Sequence, residues 1–155
     1  MTSNTTGMTA DATTGMTGGC QCGRVRYRLK SAPTGASICH CRMCQKAFGN
    51  YFAPLTGVPL PDLVWTKEPP GIFKSSDVVE RGFCPSCGTP LTYRYLKSDR
   101  IGVSIGSLDH PEQITLEIQY GIEKRLPAFA TLHELPGEVT DPNFSARSNQ
   151  HPDHD

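Results

Sequence analysis

The sequence predicts a mainly β fold with one short helix. Three observations lead there. Most of the central chain alternates apolar and polar residues with a period of two, the pattern of half-buried strands. The 15 Gly and 13 Pro impose frequent turns and leave little room for long helices. Seven cysteines fall into three tight clusters, which suit metal loops between strands better than helix faces.

The strands follow in order. Val25, Tyr27 and Leu29 take one face of the segment Arg24–Leu29. Tyr51–Leu55, Leu63–Thr66 and Ile72–Lys74 are short strand candidates separated by Pro and Gly. Val78–Phe83 runs into the third cysteine cluster and Leu91–Leu96 leaves it, so these read as two strands joined by a metal loop. Ile101–Ile105 and Ile114–Tyr120 complete the set. The helix is Arg42–Phe48, which opens inside the second cluster.

Residues 17–135 are expected to form one domain, between a disordered leader at 1–16 and a disordered tail at 136–155. His151 and His154 in that tail are expected to be solvated. Lys and Arg (15) balance Asp and Glu (15), which argues against bulk attraction to nucleic acid or to an anionic membrane. No run approaches the ~20 apolar residues of a transmembrane helix. The first 18 residues hold no Lys, no Arg and no apolar run, unlike a secretory signal. A cytoplasmic location is expected, where thiols stay reduced; that and the odd cysteine count favour zinc over disulfides.

The clusters are Cys20-Gln21-Cys22, Cys39-His40-Cys41-Arg42-Met43-Cys44 and Cys84-Pro85-Ser86-Cys87. Gly23 follows the first and Gly88 the third, where a positive φ would turn backbone N–H groups toward the sulfurs. Cys20, Cys22, Cys84 and Cys87 would therefore close one structural zinc site. The second cluster has no such glycine until Gly49. Cys39, Cys41 and Cys44 supply three thiolates and leave a coordination position for a thiol or water. Two zinc ions per chain follow. Spacing alone leaves alternatives open. The first and second clusters could pair, or a fourth ligand from His40, His110, His133 or an acidic residue could close the second site. His40, flanked by two ligands, is expected to point away from the tetrahedron.

The runs Gly18–Tyr27, Cys39–Lys46 and Phe83–Leu91, with Ile105-Gly106-Ser107-Leu108-Asp109 later, resemble the glutathione-dependent formaldehyde-activating enzyme family, also called the centromere-protein-V/GFA domain. The resemblance spans about residues 17–132. It implies a zinc-stabilised β-tent fold, like that of Rab-accessory factors. It implies that Cys20, Cys22, Cys84 and Cys87 share the structural zinc. It implies that Cys39, Cys41 and Cys44 hold a second, catalytic one. The activity implied is that of a carbon–sulfur lyase, S-(hydroxymethyl)glutathione synthase, which joins glutathione to formaldehyde. Arg24, Arg42, Lys46 and Arg94 are then candidates for holding glutathione carboxylates. The rival expectation is a non-catalytic zinc-stabilised module that presents a β surface to a protein or nucleic acid.

Overall fold

A computed structural model describes residues 15–153. Most of the expected leader and His154 lie outside the described residues. The described chain is mainly β, with one α-helix, α1 (Arg42–Phe48), and a few short 3-10 segments. The strands are β1 (Thr17–Gly19), β2 (Arg26–Leu29), β3 (Thr34–Cys39), β4 (Ala53–Pro59), β5 (Leu63–Trp65), β6 (Gly71–Lys74), β7 (Val79–Phe83), β8 (Pro90–Tyr95), β9 (Arg100–Ser104) and β10 (Ile118–Tyr120).

They form two sheets. The smaller has the order β1-β2-β5, and the larger β10-β3-β4-β9-β8-β7-β6. All pairings are antiparallel except that of β10 with β3. The hairpins β1–β2 and β7–β8 belong to different sheets, and each carries a cysteine loop at its turn: Cys20–Gly23 in one, Cys84–Gly88 in the other.

The alternation read in the sequence is what fills the core. Val25, Tyr27 and Leu29 are fully buried and meet Val58, Leu91 and Val103 of the larger sheet, with Cys20 and Cys84 in the same cluster. Full burial of such side chains contributes roughly 1.5–3 kcal/mol each. Trp65 packs edge-on against Tyr27, ring centroids 5.9 Å apart. The Tyr27 hydroxyl lies 2.8 Å from Ser107 Oγ, which itself donates to the Ser104 carbonyl at 2.8 Å. Arg26 and Asp109 form a buried two-point ion pair at 2.8 and 2.6 Å, joining β2 to the loop after β9.

Seven of the eight expected strands and the helix are present with shifts of a few residues at their ends. The eighth, Ile114–Tyr120, is reduced to Ile118–Tyr120. β1 and β3 were not expected. Met16, at the end of the expected leader, is buried, and its carbonyl accepts from the Leu29 N–H at 2.8 Å. The described part of the tail is irregular and mostly exposed, but the His151 N–H donates to the Gln21 carbonyl at 2.6 Å.

Candidate metal centres

Hairpin geometry assembles the first centre. The sulfurs of Cys20, Cys22, Cys84 and Cys87 all lie within 4.8 Å of one another. Cys20 and Cys22 Sγ are 3.4 Å apart, and Cys22 and Cys84 Sγ 3.8 Å. Four sulfurs at ~2.3 Å around a tetrahedral Zn²⁺ would stand about 3.8 Å from each other, so this donor set fits that ion. Gly23 (φ 76°) and Gly88 (φ 78°) adopt the left-handed conformation anticipated for them, and their N–H groups turn back to the carbonyls of Cys20 and Cys84. The Val25 N–H donates to Cys20 Sγ at 3.3 Å, and the Thr89 hydroxyl lies 3.2 Å from Cys87 Sγ. Burial acts to raise Cys87, but the hydroxyl and N–H of Thr89 outweigh it and hold the thiol down to about 6. For Cys22 a backbone hydrogen bond from Arg24 acts downward, yet burial and the neighbouring sulfurs push it up to about 12. Sulfurs so close oppose one another's ionisation until a cation joins them.

Cys39 ends β3, Cys41 caps α1 and Cys44 sits in its first turn, so strand end and helix start bring three sulfurs within 4.8 Å. Burial drives Cys39 up to about 12, against a backbone hydrogen bond from Cys41. Cys41 is lowered: burial opposes, but the Cys44 N–H, the two neighbouring sulfurs and the Met43 N–H prevail.

His40 points away from these sulfurs, as its flanking position suggested. It is fully buried, with Nε2 2.9 Å from Gln119 Oε1 and its ring edge-on to Phe129 at 4.8 Å. His110 faces Glu112 at 3.0 Å, and the exposed His133 lies 3.8 Å from Glu134. Neither joins a ligand cluster among the described residues. Gln45 locks the loop, donating to the carbonyls of His40 (2.8 Å) and Lys124 (3.0 Å).

The two centres differ in access. All three sulfurs of the second line a cavity of about 550 Å³, together with Ser37, Leu55, Arg81, Tyr93, Arg100 and Tyr120. A neighbouring cavity of about 590 Å³ shares Met43 and Arg81 with it and adds Arg42, Lys46, Phe48 and Phe73. No cysteine of the first centre lines either cavity. Among the cations singled out in the sequence, Arg42 and Lys46 thus flank the second centre. Arg24 instead bonds Ser86 at 2.8 Å and Glu68 at 3.5 Å beside the first, and Arg94 lines a separate small cavity.

Arg81 is the residue that sequence reasoning missed. It is 7% exposed. Its Nη2 lies 3.5 Å from Cys44 Sγ, its Nε donates to Ser75 Oγ at 3.2 Å, and its guanidinium sits 5.1 Å above the Tyr93 ring. The available signal was a cation interrupting the alternation Val79–Arg81–Phe83 on one face of β7.

The family model described as glutathione-dependent formaldehyde-activating enzyme matches residues 15–122. Among solved structures, the chain is similar to the crystal structure of a Rhodobacter sphaeroides protein, a structural-genomics target. The TM-score is 0.53 at 23% identity, over 68% of this chain and 99% of that one. That likeness concerns the fold alone. No curated protein matches the sequence.

Proposed function

The chain belongs to the glutathione-dependent formaldehyde-activating enzyme family, and on that premise we propose that it is a zinc-dependent carbon–sulfur lyase of the S-(hydroxymethyl)glutathione synthase type. Cys20, Cys22, Cys84 and Cys87 hold a closed structural zinc within a β-tent architecture. Cys39, Cys41 and Cys44 hold a second zinc that is open to a thiol such as glutathione. The observation that carries this reading is the contrast in access: three sulfurs line a cavity of about 550 Å³, whereas two of the other four belong to the hydrophobic core.

Zinc held by three thiolates offers a fourth position to an incoming thiol and favours its thiolate. The residues around it do the rest. The Arg81 guanidinium beside Cys44 offsets the excess negative charge of the thiolate cluster. Leu55, Tyr93 and Tyr120 give the cavity semi-apolar walls that strengthen charge interactions within it. In the overall reaction the thiol sulfur forms a bond to the formaldehyde carbon, the carbonyl π bond breaks, and the thiol proton ends on the new hydroxyl.

Exchange spectroscopy of formaldehyde with glutathione tests this. Adduct formation is faster with protein, and Cys41→Ser abolishes the acceleration. If there is no acceleration and glutathione leaves the metal site unperturbed, the reading fails. The alternative is then a binding module, for which the exposed row of Leu116, Ile118, Tyr120 and Ile122 along and beside β10 offers a surface. A cytoplasmic, thiol-reducing setting belongs to the proposal. Among the described residues no helix is long and apolar enough to cross a membrane.

A further inference from the structure

The loop that carries Cys39, Cys41 and Cys44 is braced by a distant segment of the chain. Tyr120 pairs in register with Cys39, and the His40 N–H donates to the Tyr120 carbonyl at 2.8 Å. His40 Nε2 meets Gln119 Oε1 at 2.9 Å, and the Gln45 side-chain amide reaches the Lys124 carbonyl at 3.0 Å, each across 79 residues. Residues 119–124 thus grip the loop at both ends of the ligand series. Tyr120, in the middle of this brace, also lines the cavity that the three sulfurs share.

Cys41 lies between those grips, as the N-cap of α1 and beyond the end of β3. Gly121 is pressed against it. A β-carbon at position 121 would stand 2.9 Å from the Cys41 nitrogen, 3.2 Å from its Cβ and 3.3 Å from its Cα. Carbon atoms in ordinary contact keep about 3.5–4.0 Å apart. The obstacle is mostly backbone, which cannot rotate aside as a side-chain end can. Among the described glycines, Gly121 is the one whose Cβ would have a non-adjacent cysteine as its nearest neighbour. It also takes a left-handed φ of 64° and leads into the turn Ile122–Lys124 that supplies the carbonyl for Gln45. Two separate demands, close approach and backbone conformation, therefore meet at this residue.

We propose that Gly121 is a positioning residue of the second centre. Its missing side chain lets residues 119–124 close on Cys41 and hold that sulfur beside those of Cys39 and Cys44. A side chain at 121 pushes Cys41 outward, and the three sulfurs, all within 4.8 Å of one another, no longer converge on one ion. The inference rests on the reading that these three sulfurs hold a metal, whatever reaction follows there.

Chelator competition on the full chain, loaded with zinc and of verified metal content, tests it. Gly121→Ala holds one of its two zinc ions about 10- to 100-fold more weakly than the wild type, the range expected when the support of a ligand is lost, and holds the other unchanged. Gly121→Asn behaves alike: asparagine tolerates the left-handed conformation, but its Cβ meets Cys41 all the same. Gly49→Ala is the control. Gly49 has a φ of 56° and open space where its Cβ would stand, so the substitution strains the backbone and keeps both ions. In cobalt-substituted protein, the thiolate-to-cobalt charge-transfer band weakens in both Gly121 variants and keeps its wild-type intensity in Gly49→Ala. Circular dichroism melts establish that each variant is folded. Retention of both ions by Gly121→Ala overturns the proposal. Wild-type retention in Gly121→Asn alone also overturns it, because φ and not the contact would then be what the glycine supplies. So does an equal loss in Gly49→Ala, which would trace the effect to backbone strain. Loss of both ions together from a Gly121 variant overturns it as well, since the residue would then support the whole fold. A wild type that holds a single ion contradicts the two-centre reading itself, and the proposal falls with it.

Discussion

Arg81 Nη2 lies 3.5 Å from Cys44 Sγ, across 37 residues of chain. Three residues after Arg81, the same strand runs into Cys84, whose sulfur is 3.8 Å from that of Cys22. One strand thus serves both centres. The first centre fastens the end of β7 between the sheets, and the fastened strand presents a cation to the second. Under the proposed function, the closed site that holds the fold would thereby position the open site that does the chemistry.

Removing that cation weakens metal retention at the second centre. Partners that orient or neutralise first ligands typically change metal affinity 10- to 100-fold, and Arg81→Met is expected to fall in that range. Chelator competition measures it. One zinc per chain leaves more readily than in the wild type, and the other leaves at the wild-type rate.

Cys87→Ser is expected to unfold the domain, whereas Cys41→Ser leaves it largely folded. The first centre lies against the core, with Cys20 and Cys84 inside it and Cys22 and Cys87 packed on it. Structural zinc binding of ~10–16 kcal/mol is comparable to a whole domain's stability of ~5–15 kcal/mol. The second centre sits on a cavity wall, where α1 and Gln45 keep the loop in place. Circular dichroism melts of the two variants check this, and equal loss of structure contradicts it.

Tyr27 should make the fold sensitive to alkali. Burial raises its phenol well above the ordinary range, and the Asp109 charge adds to this. The Ser107 hydrogen bond and Arg26 only partly oppose it. The native state therefore keeps the proton where the unfolded chain, with a pKa near ~10, has lost it. Stability from this group is complete below that pH and falls by about 1.4 kcal/mol per unit above it. Tyr27→Phe loses this slope, at a cost of about 1 kcal/mol near neutrality for the hydrogen bond to Ser107. Denaturant titrations of both proteins from pH 9 upward compare the slopes.

The parts of this architecture that were legible in the sequence are those whose causes are local. Paired cysteines one or two residues apart, the glycines after Cys22 and Cys87, and the alternation of Val25, Tyr27 and Leu29 each carry their own signal. The rest depends on partners far away in the chain. β3 (Thr-Gly-Ala-Ser-Ile-Cys) has few large apolar residues and owes its form to pairing with β4 and with the distant β10. β1 is Thr-Gly-Gly, with β propensity only at its first residue. Ile114–Tyr120 alternates, but only its last three residues reach β3, after a 3-10 turn at Pro111–Gln113. Arg81 reads as a surface strand cation until Cys44 is seen beside it. His40 could be argued away from the metal by its neighbours, but its partner Gln119 lies 79 residues on.

The central claim is that four of the seven cysteines close one zinc site and three leave another open to a thiol. X-ray absorption at the zinc edge of the zinc-loaded protein, with and without glutathione, tests it most directly. Seven protein sulfurs shared by two ions give a mean of about 3.5 sulfurs per zinc at ~2.3 Å. Added glutathione should raise that mean to about 4 as its sulfur completes the site of Cys39, Cys41 and Cys44. A mean that does not move on thiol addition would contradict the account, as would a single zinc per chain.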